Sequence, residues 1–139
     1  MTARHDAVLV DSSVWIDLFA ARETPQVTFL QKVVETGLDA LAPGIVVCEV
    51  LRGVRSDAKA RELAALFRQL VAAPELDAKD YVDAAALYRA CRTRGITLQS
   101  TIDCLIAQLS IRHGLALLTA DQVFFEIAAA TGLTLARSR

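Results

Sequence analysis

Two short apolar runs, each followed by an aspartate, constrain the fold of this chain more than any other feature of its sequence. The first run is Ala7–Val10, and Asp11 follows it directly. The second run covers residues 115–119 and precedes Asp121. Short apolar runs of this kind are typical of strands that are buried on both faces of a parallel sheet. Because ligands bind beyond the carboxyl ends of such strands, both aspartates are expected at a binding site.

Helical patterns alternate with strand-like runs along the chain, and capping residues and glycines mark their ends. Either Ser12 or Ser13 is expected to cap the first helix. Helices are predicted over residues 14–21, 24–37, 44–54, 57–71, 77–94, 100–113 and 121–132. Further strands are predicted at residues 38–42, 72–76 and 133–136. This alternation predicts the α/β class, here a three-layer α/β/α sandwich with a mainly parallel central sheet.

Composition favours a folded enzyme over a membrane protein or a nucleic-acid coat. Hydrophobic residues make up 54% and charged residues 22% of the 139 residues, which is enough for one domain, predicted over residues 1–139. No apolar stretch approaches the ~20 residues that span a bilayer, and the start does not resemble a signal peptide. A cytoplasmic protein without membrane contact is therefore expected. The net charge of −1 offers no basic field, although an enzyme can hold its substrate through a metal and a few arginines.

The three cysteines predict neither disulfides nor a zinc site. Cys48, Cys91 and Cys104 are odd in number, widely spaced and set among apolar neighbours, with no C-x-x-C pair. We expect buried, inert thiols, since free cysteine usually behaves as a small hydrophobic residue.

Three aspartates are candidates for chemistry, and each has a structural alternative. Asp11 stands between a strand and a helix, where it could be a turn or capping residue. Asp121 could be the N-cap of the helix that it precedes. Asp103 follows Ser100 at the S-x-x-D spacing of a capping box.

Glu49 is the fourth candidate and differs from the aspartates because it interrupts a strongly apolar helical segment, residues 45–51. Burying an unpaired carboxylate is costly, so Glu49 requires solvent, a partner or a metal. A salt bridge to Arg52 is the structural alternative. Asp17 also interrupts an apolar run, but its helical face looks ordinary and exposed, so it serves as a control.

The four acidic residues together predict a metal centre. Carboxylates gathered at one place repel one another, which favours either protonation or a bound cation. Oxygen ligands suit Mg²⁺ or Mn²⁺, and such an ion polarises a phosphodiester and activates a water. This chemistry needs no histidine, and His5 and His113 are expected to be structural or solvated. We call the four residues the acidic group: Asp11, Glu49, Asp103 and Asp121.

Four short motifs carry a family resemblance through their order and spacing. They are VDSSVWI at residues 10–16, EVLRG at 49–53, TIDCLIA at 101–107, and LLTAD at 117–121 with Phe124. In this arrangement the chain resembles the PIN-domain nucleases, specifically the VapC-type toxins of bacterial and archaeal toxin–antitoxin pairs.

The resemblance implies a Mg²⁺- or Mn²⁺-dependent endoribonuclease that cleaves RNA with a metal-activated water. It implies that the acidic group is catalytic and holds the metal, while Ser13 and Thr119 are catalytic auxiliaries that position water or phosphate. It also implies a homodimer that a cognate antitoxin protein silences. Many relatives carry a further acid two residues after the fourth, where this chain has Val123, which puts a fully formed second metal site in doubt.

Apolar helix residues are candidates for the surface that would bind the antitoxin and the second subunit. For any single one of them, a place in the core is the simpler expectation. The candidates are Trp15, Phe19, Phe29, Leu63, Leu66 and Phe67.

Other functions remain open on the sequence alone. A phosphoacceptor receiver-like signalling domain also gathers acids at strand ends, but it would normally have a late lysine, and no lysine follows Lys79. A haloacid-dehalogenase-like phosphatase would place a second acid two residues after the first, where Ser13 stands. A PIN fold kept only for binding would have no reason to retain four acids. A PIN-fold RNA-processing nuclease without an antitoxin is the remaining alternative.

Overall fold

The computed structural model describes residues 7–137, which contain three strands and seven helices. The strands are β1 (Ala7–Val10), β2 (Asp39–Leu41) and β3 (Ala116–Leu118). The helices are α1 (Ser12–Phe19), α2 (Pro25–Glu35), α3 (Gly44–Arg52), α4 (Asp57–Arg68), α5 (Ala78–Thr93), α6 (Thr101–Arg112) and α7 (Val123–Ala130). None of these helices is long and apolar enough to cross a membrane. His5 lies outside the described residues.

The central sheet is parallel and places β1 in the middle, in the order β2-β1-β3. Leu9 and Val10 of β1 are both 0% exposed. Successive side chains of a strand point to opposite faces of the sheet, so both faces of β1 are covered. The predicted three-layer α/β/α architecture is confirmed, and the carboxyl ends of β1 and β3 lie side by side.

The strand predicted at residues 72–76 is wrong, because this segment has no strand pairing. Pro74 has no N–H to donate to a neighbouring strand. Two hydrogen bonds of Glu75, to Gly44 and to Arg112, hold the segment in place instead. The Glu75 carboxylate accepts a hydrogen bond from the Gly44 N–H at 2.8 Å, and the Arg112 guanidinium donates to the Glu75 carbonyl oxygen at 3.3 Å.

The strand predicted at residues 133–136 is reduced to one parallel bridge between Leu117 and Leu135. Two backbone hydrogen bonds of 2.9 Å flank the bridge, one from the Leu117 N–H to the Thr134 carbonyl and one from the Ala136 N–H to the Leu117 carbonyl. The last described residues therefore lie beside the carboxyl end of β3.

Several helix ends differ from the prediction, and α4, for example, ends at Arg68 rather than at residue 71. Helix α1 begins at Ser12, and its N-cap is Asp11 rather than Ser12 or Ser13, because the Asp11 carboxylate accepts the Ser13 N–H at 3.4 Å. Helix α7 ends at Ala130, where Thr131 adopts an extended backbone, so Gly132 does not close the helix as predicted.

A buried aromatic cluster accounts for several of the residues that were candidates for a partner surface. The Trp15 ring packs edge-on against Phe67, with ring centroids 5.2 Å apart, and its Nε1–H donates to the Val10 carbonyl at 3.1 Å. Trp15, Leu63 and Phe67 are buried, so their proposed role as partner surface is wrong. Phe19 and Phe29 are half-buried, and Leu66 is exposed.

The burial of each cysteine depends on the helix face that carries it. Cys91 and Cys104 are buried as expected, but Cys48 is exposed. Val46 and Val50 turn the opposite face of α3 towards the core at a spacing of four residues, and Cys48 lies between them on the other side.

A buried ion pair joins α5 to α6. Asp80 is 0% exposed, and both of its oxygens accept hydrogen bonds of 2.7 Å from the Arg112 guanidinium. Asp80 also accepts the Asp77 N–H at 3.0 Å and so completes a capping box at the start of α5. This bidentate pair was not recognised in the sequence, because its partners are 32 residues apart.

Candidate active site

Asp11 lies directly beyond the carboxyl end of β1, and its side chain is almost fully buried, with 3% of the residue exposed. Its backbone N–H donates to the Leu118 carbonyl at 2.9 Å, which ties it to the end of β3. The hydroxyls of Ser13 and Thr119 donate to the same carboxylate oxygen, Oδ2, at 2.7 and 3.0 Å. The Ser13 N–H also points to Oδ2, so all three of these contacts within residues 7–137 use one oxygen and leave Oδ1 available to a ligand.

The two hydroxyls also organise the turn after β3. The Ser13 oxygen accepts the Ala120 N–H at 3.1 Å, and the Thr119 oxygen accepts the Asp121 N–H at 3.0 Å. Each hydroxyl thus donates its proton to Asp11 and accepts a backbone N–H in return. The start of α1 and the turn that carries Asp121 are held together through Asp11.

Glu49 projects from α3 and is half-buried. Its Oε1 accepts a hydrogen bond from the Ser12 hydroxyl at 3.2 Å. No salt bridge to Arg52 is present in the described part of the chain, although the positive charge of Arg52 acts on Glu49. The structural alternative for Glu49 is therefore not formed. Ser12, the partner that Glu49 has instead, was missed because it lies 37 residues away in the sequence.

Asp103 occupies the first turn of α6 and is half-buried. Its N–H donates to the Ser100 hydroxyl at 3.4 Å, which is one half of a capping box. The reciprocal contact from the Asp103 carboxylate is absent among the described residues. The backbone of Asp103 therefore has a capping partner, whereas its carboxylate is left without a structural role.

Asp121 is exposed in the turn before α7. Its Oδ1 accepts the Val123 N–H at 3.1 Å, but the N-cap of α7 is Gln122, so the alternative that Asp121 is the N-cap is wrong. This contact uses one carboxylate oxygen and leaves the other open to solvent or to a ligand.

The electrostatics of the acidic group couple its members to one another. Burial first, and then the negative charges of Asp121, Asp11 and Glu49, together raise the pKa of Asp103 to about 6. Burial also raises the pKa of Glu49, against the opposing hydrogen bond from Ser12. The pKa of Asp11 is raised by burial despite its hydrogen bonds from Ser13 and Thr119. Among the groups that shift these three pKa values, only Arg52 carries a positive charge.

The chemistry of these side chains fits a hard divalent cation. Within residues 7–137, no three acidic, histidine or cysteine side chains are arranged as a ready-made metal cage. Mg²⁺ does not require one, because it usually keeps several waters and takes one or two carboxylates together with substrate phosphate. A cation would bind the unused Oδ1 of Asp11 and would offset the negative charges that add to burial in raising the pKa of Asp103.

Replacing Asp103 should stabilise the metal-free protein. The raised pKa means that the folded state binds the proton more tightly than the unfolded state, so folding loses stability as the pH rises from about 4 to about 6. Asp103→Asn removes this penalty. We expect a gain of about 1 kcal/mol at pH 7 after discounting for partial exposure, or a melting temperature ~2–5 °C higher.

Thermal unfolding in EDTA measures this effect, and the gain should vanish as the pH falls from 7 to 4. Asp17→Asn is the matched control, because Asp17 forms an ordinary ion pair with Arg22 at 2.9 Å. An equal rise in melting temperature for both variants, or no rise for Asp103→Asn, would contradict the raised pKa of Asp103.

Comparisons with known proteins identify the family of this chain. The model of the PIN domain family matches residues 8–130. VapC ribonuclease Mb1587 of Mycobacterium bovis and ribonuclease VapC11 of Mycobacterium tuberculosis are each 34% identical to this chain over 137 residues, which is 95% of this chain and 99% of theirs.

Solved structures share the fold at lower identity. The crystal structure of VapBC2 from Rickettsia felis, bound to a DNA fragment from their promoter, matches with a TM-score of 0.74 and 16% identity over 94% of this chain and 97% of that chain. The crystal structure of FitAcB from Neisseria gonorrhoeae matches with a TM-score of 0.66 and 18% identity over 92% and 95% of the two chains.

Proposed function

Because this chain belongs to the PIN domain family and, within it, to the VapC ribonucleases, we propose that it is a divalent-metal-dependent endoribonuclease and the toxin of a toxin–antitoxin pair. The observation that carries the proposal is the acidic group at the carboxyl end of the sheet, where burial and the neighbouring negative charges raise the pKa of Asp103 to about 6. A partly buried carboxylate cluster of this kind is a candidate for function because it costs stability without a ligand.

The acidic group would hold the metal. Mg²⁺ or Mn²⁺ bound there supplies positive charge that polarises the scissile phosphodiester and lowers the pKa of a water. We propose that Asp11 and Asp121 are direct ligands, and that Asp103 and Glu49 act through waters or a second ion. Val123 offers no carboxylate at the first residue of α7, so one site should bind more tightly than any other. Calorimetry that finds two equal sites would contradict this ranking.

The surrounding hydroxyls act as positioning residues. Ser13 and Thr119 fix the Asp11 carboxylate through Oδ2 and leave Oδ1 free to bind a ligand. The Ser12 hydroxyl orients Glu49. Burial raises the pKa of the Glu49 carboxyl, which suits it to accept a proton from the attacking water. The resemblance to VapC-type toxins implies products with a 5′-phosphate and a 3′-hydroxyl.

The proposal extends to partners and location. We propose one domain over residues 1–139, a homodimer, inhibition by a cognate antitoxin, RNA as substrate and action in the cytoplasm.

The family match removes the support for a receiver-like signalling domain. A PIN-fold RNA-processing nuclease without an antitoxin would differ in genetic context, because no small reading frame for an antitoxin would adjoin its gene. Light scattering that finds only monomer at micromolar concentration would contradict the homodimer.

Removal of metal tests the activity. We expect EDTA to abolish cleavage of single-stranded RNA by the purified chain, and added Mg²⁺ or Mn²⁺ to restore it, because the acidic group cannot bind a phosphate without a cation. A gel assay with labelled RNA measures this. Cleavage that persists in EDTA would contradict the proposal, as would a native chain that stays inactive with either metal.

A further inference from the structure

A small cavity of about 140 Å³ adjoins the acidic group on the side of β3. It brings together the start of α2, the end of β3, α7 and the last described residues. Its lining consists of Pro25, Gln26, Phe29, Leu118, Thr119, Phe125, Ala136 and Arg137. The cavity is well below the ~300 Å³ at which pockets for whole small molecules begin, so it suits one flat group rather than an entire ligand.

The cavity presents an aromatic ring and a cation together. Phe125 is 38% exposed, whereas its neighbour Phe124 is 0% exposed and belongs to the core. The Arg137 guanidinium lies 5.9 Å from the centre of the Phe125 ring, which is within cation–π distance. Exposure of the Phe125 ring to water is unfavourable in free energy, and a flat ligand stacked on the ring would shield it from water.

Thr119 connects this cavity to the acidic group. The residue lines the cavity, and its hydroxyl donates to Asp11 Oδ2 at 3.0 Å and accepts the Asp121 N–H at 3.0 Å. The two sites therefore share one wall. Thr119 is the residue that links a group held in the cavity to the site at Asp11 and Asp121.

We propose that this cavity is a base-binding subsite for single-stranded RNA, and the inference rests on the proposed nuclease function. A nucleobase next to the scissile phosphate stacks on Phe125, and Arg137 contacts the base or the adjoining phosphate. Gln26 lines the same cavity and carries an amide with both donors and an acceptor, which suits the edge of a base. In a chain of net charge −1, a local arginine gives the negative RNA backbone a binding partner.

Fluorescence of 2-aminopurine tests the subsite, because stacking on an aromatic ring quenches this base. Short single-stranded RNAs with 2-aminopurine at successive positions are mixed with Mg²⁺ and the Glu49→Gln variant, which removes one negative charge and is expected to cleave slowly. We expect quenching at one position only. Phe125→Leu in the same background should remove the quenching and weaken binding by ~10-fold, whereas Phe125→Tyr should preserve both.

Controls separate a subsite from a general effect of mutation. Tyr81 is another exposed aromatic residue, at 56% exposure on α5, and Tyr81→Leu should leave quenching and binding unchanged. If Phe125→Leu does not fold, Arg137→Gln at an exposed position replaces it and should weaken binding several-fold. With Glu49 intact, Phe125→Leu should raise KM while kcat stays close to native.

The outcomes distinguish the subsite from the nuclease. Native RNA cleavage with unchanged KM and quenching in Phe125→Leu would overturn the subsite and leave the nuclease in place. Quenching that depends on Phe125 in a chain that cleaves no RNA would support the subsite and contradict the nuclease. Quenching that is lost equally in Tyr81→Leu would overturn the subsite, since the effect would not be specific to the cavity.

Discussion

Asp11→Asn should lower the rate constant of RNA cleavage by about 10²-fold or more, the scale of losing one preorganised electrostatic group at an active site. Asparagine keeps the shape of aspartate and can still accept the hydroxyl protons of Ser13 and Thr119, so the fold around it should survive. The negative charge, which the proposed metal needs, is lost. Single-turnover cleavage of labelled RNA in Mg²⁺ measures the change, and circular dichroism checks the fold.

Asp17→Asn is the matched control for this prediction. Asp17 lies on the same helix as Ser13, interrupts a similar apolar run and is half-buried, and it forms an ion pair with the exposed Arg22 at 2.9 Å. Pairs with one exposed partner contribute ~1 kcal/mol or less, so both stability and cleavage should stay close to native. Native activity in Asp11→Asn would show that the acidic group is structural and would contradict the assignment of Asp11.

Asp80→Asn should destabilise the protein by about 3 kcal/mol without a direct effect on cleavage. The change removes the charge that Nε and Nη2 of Arg112 contact at 2.7 Å. It leaves this cation, whose side chain is only 29% exposed, with the longer contact to Asp77 at 3.6 Å as its remaining ion pair. Removing one partner of a buried ion pair lowers the free energy of unfolding by ~3–5 kcal/mol. Because Arg112 is partly exposed, we expect a loss at the lower end of this range. Urea unfolding measures the loss.

The pH dependence of that loss has a definite sign. Burial by itself would raise the pKa of Asp80, but the Asp77 N–H and the Arg112 guanidinium outweigh it, and the pKa falls below the ordinary 3.8. The stabilisation is therefore complete above pH ~4 and is lost as the pH falls through the lowered pKa. The difference between native and Asp80→Asn should be constant near neutrality and shrink in acid.

Glu62→Gln gives the control for this ion pair. Glu62 pairs with Lys59 at 3.6 Å on the exposed face of α4, where an i,i+3 pair contributes a few tenths of a kcal/mol. A loss in Asp80→Asn no larger than the loss in Glu62→Gln would contradict the structural importance of the buried pair.

Local sequence predicted the parts of the site that local physics determines. Asp11 and Asp121 were placed at strand ends because an apolar run that is buried on both faces is recognisable over a few residues. Glu49 was noticed because its carboxylate interrupts an apolar helix. The partner of Glu49 and the ion pair of Asp80 could not be predicted, since Ser12 and Arg112 meet them across 37 and 32 residues through tertiary packing.

The errors have equally local causes. Residues 72–76 have an apolar pattern, but Pro74 cannot donate to a ladder, and contacts of Glu75 hold the segment in another way. The aromatic residues of α1 and α4 were counted as surface candidates because periodicity shows one apolar face and not what covers it. Trp15 and Phe67 cover each other, with ring centroids 5.2 Å apart.

The chemical ends of the cleavage products show directly whether an activated water at the acidic group hydrolyses the RNA. Mass spectrometry of RNA fragments from the native chain in Mg²⁺ distinguishes the two main routes of RNA cleavage. We expect a 5′-phosphate and a 3′-hydroxyl, both absent when Asp11→Asn replaces the native chain. Fragments that end in a 2′,3′-cyclic phosphate and a 5′-hydroxyl would mean attack by the RNA's own 2′-hydroxyl and would rule out hydrolysis by an activated water.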